Sequence, residues 1–220
     1  NPCTGLKPPA GGKERGRVLS DQEVADVWMA SNALSPFWGT AFKILILTAQ
    51  RKNEVVGMEW DELDFDERLW RIPSHRTKNA RAHEVPLTVA VLELITKLPR
   101  IDGSRFVFTN TGRVPISGDS NAKSQIDAAI QELRSARSDG SSTSKEMPHW
   151  TVHDLRRTAT TGMARLGVPP HVADAILNHK GGTVSGVAAV YNRYAYLEER
   201  RKALETWEAH ILFEQQNTSV

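Results

Sequence analysis

The chain has 220 residues, 40% of them hydrophobic, and a formal net charge of +2. That is enough apolar content for one large or two small domains, and with so small a net charge any anionic partner must be read from where the cations sit. The one cysteine, Cys3, excludes an internal disulfide and a cysteine-built metal cluster, and no apolar run reaches membrane-spanning length.

The opening stretch, NPCTGLKPPAGGKERGR, is rich in Pro and Gly. Residues 1–17 are expected to be an interdomain linker, with a partner domain upstream and the functional domain at 18–220. From Ser20 the pattern turns helical: SDQEVADVWMAS carries a Ser20/Glu23 capping box and an apolar face of Val24, Val27 and Trp28. SPFWGTAFKILILTAQ predicts a second helix, apolar enough to be buried. VVGMEWDELDFDERLWRIP and HEVPLT alternate around charged turns and predict a small antiparallel sheet. TVAVLELITKL predicts a helix, RFVFTN a short extended segment, 121–134 another helix, and Ser-rich RSARSDGSSTSKE a loop. Thr151 and Asp154 form a second capping box, opening a helix whose Leu155, Ala159, Met163 and Leu166 are expected to face a core. A short helix at PPHVADAILNH, a Gly-rich turn and a long terminal helix from about Val187 complete the chain. The fold class is α+β: mostly helical, with one small antiparallel β-sheet.

Several charged residues stand where structure alone does not call for them. Arg51 follows a buried helix, where a charge is costly to place without compensation. It reads either as the partner of Glu54 in a structural ion pair or as a guanidinium held in a cleft for bidentate phosphate contact. Between Arg68 and His83 there are five Lys or Arg residues, two histidines and no acid. The dense part, SHRTKNARAH, falls at a hairpin tip, where it is either a solvated turn or a probe of the DNA backbone, with Lys78 at its centre. His153 and Arg156 emerge together from the first turn of a helix, a position whose free N–H groups and dipole already favour anions. His149 and His153 have a metal-like spacing, but the cap at Thr151 leaves His149 outside the helix and no acidic ligands lie nearby, so no metal is expected. In the terminal segment, Val190, Tyr194, Leu197, Leu204 and Ile211 make an apolar stripe if the helix is continuous. Tyr191 then points roughly 100° away from the stripe. A tyrosine hydroxyl attacks a phosphodiester only when cations stabilise the developing charge and a base takes its proton.

The ordered set resembles the tyrosine recombinases, the phage integrase family. The matching residues are Arg51 in TAQRKNE, Lys78 in RTKN, His153 and Arg156 in HDLRRT, His179 in LNH, and a following tyrosine. The resemblance covers roughly residues 18–212, and VYNRYAYLEERRKALETW looks most like integrases of genomic islands and integrative elements. It implies that Arg51 and Arg156 clamp the scissile phosphate and that Tyr191 attacks it, giving a 3′-phosphotyrosyl intermediate. Lys78 would be the general acid, His153 an acid/base, and His179 a hydrogen-bond donor to the phosphate. Arg76 and Arg81 are expected on the DNA backbone, and Arg157 there or in a salt bridge. The partners implied are double-stranded DNA with attachment-type sites, a tetramer on paired sites and a directionality factor. No cofactor or metal is implied, and the protein is expected to be cytoplasmic. The family usually has Gly where Ala49 and Asn178 stand, and the His179–Tyr191 gap is longer than in many members, which leaves Tyr194 as the other candidate nucleophile. A type IB topoisomerase and a DNA-binding protein of the same fold without strand cleavage are the competing readings.

Overall fold

Ser20 and Glu23 cap the first helix, α1 (Asp21–Ala30), as a reciprocal pair: the Glu23 N–H donates to the Ser20 hydroxyl, and the Ser20 N–H to the Glu23 carboxylate. The computed structural model describes residues 16–137, 146–179 and 195–218. Pro36 begins α2 (Pro36–Thr48), which runs through the core with Phe42, Ile44, Leu45, Ile46 and Leu47 all buried. It stops at Ala49, in the left-handed conformation with φ 55°, and Arg51 then caps a short α3 (Lys52–Val56). Val55 and Val56 were expected to begin the sheet but belong to this helix. The sheet proper is β1 (Leu63–Asp64), β2 (Leu69–Ile72) and β3 (His83–Pro86), antiparallel in that order, with Ile72 opposite His83. The extended segment expected at RFVFTN pairs with residues 58–60, outside the sheet, with Phe106 bridged to Glu59.

Further helices follow as α4 (Val89–Thr96), α5 (Asp119–Ala136), α6 (Val152–Arg165), α7 (Pro170–Ile176) and α8 (Leu197–Thr218). The fold is mostly helical around a small antiparallel sheet, as expected. α5 continues past its expected end at 134 because Arg134 and Arg137 both pair with Asp26, a buried carboxylate on α1; residues 138–145 of the expected loop lie outside the described residues. Leu155, Ala159 and Met163 are core residues, but Leu166 is 38% exposed, because α6 ends at Arg165 and the chain turns away through Gly167 at φ 82°. Trp28 is half-buried, with the Lys43 ammonium over its ring.

The terminal helix also differs from expectation. Tyr196 sits at φ 52°, outside any right-handed helix, so α8 starts at Leu197 and does not run back unbroken to Val187. Leu204 and Ile211 of the expected stripe are buried. Tyr191 and Tyr194 lie outside the described residues, so the preference for Tyr191 rests on the family resemblance and not on a continuous helix. No helix among the described residues is long and apolar enough to cross a membrane.

α8 is fastened across α2, α4 and α6. The Trp207 indole N–H donates to Ile46 O at 2.8 Å, in a fully buried position. Glu208 accepts from the Thr88 hydroxyl and the Ala90 N–H, filling the N-terminus of α4 with a carboxylate from a distant element. The Trp207 ring lies directly on Gly162 of α6, where an added Cβ would stand 2.2 Å from a ring carbon. Gly162→Ala is therefore expected to lower the unfolding free energy by about 1–3 kcal/mol, the range for overpacking a tight core. Urea denaturation checks this, and an unchanged midpoint would mean that the indole can swing aside.

Candidate DNA-strand-transfer site

Arg51, Lys78, His153, Arg156 and His179 all line one open depression. They come from the α2–α3 junction, the β2–β3 loop, the first turns of α6 and the end of α7. The first four also line an adjoining depression along the start of α6, which His149 borders. The capping pair predicted at the head of α6 is present, with the Asp154 carboxylate accepting from the Thr151 N–H and hydroxyl, both at 2.8 Å. It fixes the first turn, so His153 is presented at the surface while Arg156, one turn on, is buried.

Arg156 is held without a carboxylate. One guanidinium nitrogen donates to Ala49 O at 2.7 Å and another to Leu177 O at 2.6 Å. These are C-terminal carbonyls of α2 and α7, groups that helices leave unpaired and that carry the negative end of the dipole. Burial first, and then the like charge of Arg51, push Arg156 down to about 10. Arg51 is both things the sequence allowed: it pairs with the buried Glu54 carboxylate at 2.9 Å and it lines the depression. His153 and His179 are both held below the ordinary histidine range, chiefly by burial and then by the charge of Arg156. His179 also faces Asp174 at 3.4 Å. The arrangement concentrates fixed positive charge and two histidines biased toward the neutral form in one cleft.

Lys78 projects, exposed, from the β2–β3 loop. Of the three arginines expected on DNA, Arg157 lines the depression and Arg81 is exposed on the loop. Arg76 is turned inward: it pairs with the buried Glu62 carboxylate, donates to Glu54 O and packs over Gly57. Its charge is paired within the fold, while the residue also borders the adjoining depression. Among the described residues no group of three or more His, Cys, Asp or Glu side chains could hold a metal ion.

Three residues that sequence reasoning passed over organise the end of α7. Ile176 O accepts from Gln50 Nε2 at 2.9 Å and pairs with His83 Nε2 at 3.0 Å, while Asn178 O accepts from Asn79 Nδ2 at 2.6 Å. Nothing in composition or spacing marks Gln50 or Asn79, because their partners are main-chain carbonyls distant in sequence. Asn79 has only its place beside Lys78 as a signal.

The model of the phage integrase family matches residues 17–198, and the chain belongs to that family, the tyrosine recombinases. Prophage integrase IntA of Escherichia coli is 33% identical over 192 residues, which span 87% of this chain and 41% of that relative. The chain therefore matches less than half the length of this curated relative. Among solved structures, the integrase from mycobacterium phage Brujita superposes with a TM-score of 0.61 at 18% identity, covering 94% of this chain and 63% of that one. A lambda integrase (75-356) dimer bound to a COC' core site gives 0.56 at 20% identity, covering 81% and 63%. These structures share the fold.

His83 makes one property of the site's support measurable. Burial, and then the charge of Arg200, lower its pKa from 6.5 to about 3. Between those values the unfolded chain takes up a proton that the folded chain refuses. Its contribution to stability is whole above about pH 6.5 and is lost as pH falls toward 3, at up to about 1.4 kcal/mol per pH unit. His83→Gln keeps a donor for Ile176 O and cannot titrate. Urea unfolding at pH 4 to 7 is expected to show a slope shallower by up to one proton in this variant, whereas parallel slopes would refute the assignment.

Proposed function

We propose that this chain is the catalytic domain of a site-specific DNA recombinase that integrates or excises a mobile element, with residues 1–17 as the linker to an upstream domain. The observation that carries the reading is the meeting of Arg51, Lys78, His153, Arg156 and His179, from four separated segments, around one cationic cleft. Family membership and the DNA-bound lambda relative support it.

In this mechanism a phosphodiester enters the cleft and its non-bridging oxygens meet Arg51 and Arg156. The Tyr191 hydroxyl attacks phosphorus in line, its proton passing to His153, which burial and Arg156 bias toward the neutral, proton-accepting form. The bond from phosphorus to the 5′-oxygen breaks, and Lys78 supplies the proton that the leaving oxygen takes up. His179 donates to the phosphate. The products are a 3′-phosphotyrosyl linkage and a free 5′-hydroxyl, and attack by an incoming 5′-hydroxyl reverses the step on a new strand without ATP. Charge stabilisation by fixed donors is the main catalytic contribution, as in other sites where negative charge develops on oxygen. Arg157 and Arg81 contact the flanking backbone, so affinity falls with rising salt. The protein acts in the cytoplasm on attachment-type duplexes, as a tetramer on paired sites and with a directionality factor.

The test is covalent capture. Nicked duplexes built on the ends of the element that carries the gene are incubated with the protein, denatured, and searched for protein-linked DNA. Adducts are expected from the parent and from Tyr194→Phe, and none from Tyr191→Phe. Adducts lost only in Tyr194→Phe would move the nucleophile, and no adduct from the full-length protein would leave a DNA-binding role without cleavage.

A further inference from the structure

The β2–β3 loop closes on itself at Thr77 and Arg81. The buried Thr77 hydroxyl donates to Arg81 O at 2.7 Å and accepts the Arg81 N–H at 3.0 Å. Ala80, inside this ring, is at φ 54°. Lys78 leaves the ring toward the cleft with no ion-pair partner among the described residues. A lysine on an exposed loop has four flexible carbons between its Cα and its charge, so the loop itself must be held if the ammonium is to arrive in one place. The hydrogen bonds from the ring to the opposite wall of the cleft, among the described residues, all run to Asn178. Asn79 Nδ2 donates to Asn178 O at 2.6 Å, and Asn178 Nδ2 donates to Asn79 Oδ1 at 3.3 Å and to Arg81 O at 3.4 Å. Asn178 in turn is fixed at φ 49° at the end of α7, between Leu177, whose carbonyl holds Arg156, and His179.

We infer that Asn79 is a positioning residue: by clasping the turn before His179 it sets where Lys78 enters the cleft, in register with Arg156 and His179. The inference rests on the reading of Lys78 as general acid. A general acid must lie within about 3 Å of the atom it protonates, and a displacement of about 1 Å can cost about 100-fold in rate. The chief bond of the clasp accepts at a main-chain carbonyl, so it needs only Asn79 to be Asn and the end of α7 to keep its turn.

The experiment uses a nicked duplex recovered by covalent capture, and a second copy whose scissile 5′-bridging oxygen is replaced by sulfur. A thiolate leaves without protonation, because a thiol is a far stronger acid than an alcohol. On the oxygen duplex, Asn79→Ala is expected to slow single-turnover cleavage by about 10- to 100-fold while changing Kd for the duplex by less than about 3-fold. On the sulfur duplex, both Lys78→Ala and Asn79→Ala are expected to recover to within about 3-fold of the parent, a rescue that misfolding or lost phosphate contact would not produce. If Asn79→Ala cleaves the oxygen duplex as fast as the parent, or stays slow on sulfur while Lys78→Ala recovers, the clasp is overturned and the general acid stands. If Lys78→Ala stays slow on both, the general-acid reading falls and the clasp falls with it.

Discussion

The end of α7 is the constraint on which the site depends. A helix leaves its last carbonyls without main-chain partners, and here three in succession, at Ile176, Leu177 and Asn178, are met by side chains from elsewhere. Gln50 and His83 reach the first, Arg156 the second and Asn79 the third. Apart from His83, each donor lies beside a residue that lines the cleft or is one itself. Gln50 precedes Arg51, Asn79 follows Lys78, and Arg156 stands one turn after His153. Unsatisfied carbonyls at a buried helix end would cost about 1–3 kcal/mol apiece, so the same bonds that complete α7 also bring separated segments of chain to one place.

The contrast between the two arginines follows from this. Arg51 is neutralised by Glu54, whereas Arg156 is buried against carbonyl oxygens that hold it by their dipoles and leave its net charge in place. Burying a cation in this way is expensive, and the nearby Arg51 adds repulsion. An anion in the cleft relieves both costs. The histidines, lowered chiefly by burial, also feel this field: Arg156 and, more weakly, Arg51 disfavour a further positive charge beside them. This field biases the cleft toward an anion, as the proposed phosphodiester would be.

Local signals in the sequence were legible where a residue acts through its own neighbours. The caps at Ser20/Glu23 and Thr151/Asp154, the apolar run of α2 and the hairpin around the basic loop are of this kind. Arg51, His153 and Arg156 stood out as charged groups at helix ends and Lys78 as the centre of a basic hairpin tip, while His179 was marked only by the family resemblance. What stayed hidden was settled by distant partners. Arg76 looked like the other cations of its loop until Glu62, on a neighbouring turn, claimed it. Leu166 fitted a helical period that ends one residue earlier, and the break at Tyr196 has no glycine or proline to announce it. The carbonyls that gather Gln50, His83, Arg156 and Asn79 belong to the main chain, which has no sequence signature at all.

Ala49 and Asn178 show how the two kinds of information meet. Both are in the left-handed region, at φ 55° and 49°. The conformation costs about 1–2 kcal/mol for a residue with a Cβ, less for asparagine, which tolerates it better than other residues. Each left-handed turn ends a helix whose terminal carbonyl binds Arg156: Ala49 O itself in one case, Leu177 O just before Asn178 in the other. The strain is therefore located where the guanidinium draws two helix ends together, and the bonds to Arg156 over-determine both turns. Glycine would enter these conformations freely; this chain instead keeps a buried methyl at Ala49 and, at Asn178, a carboxamide that joins the β2–β3 loop. Ala49 and Asn178 thus hold the backbone path that brings Arg156 to the cleft, and the second adds a bond that a glycine could not make.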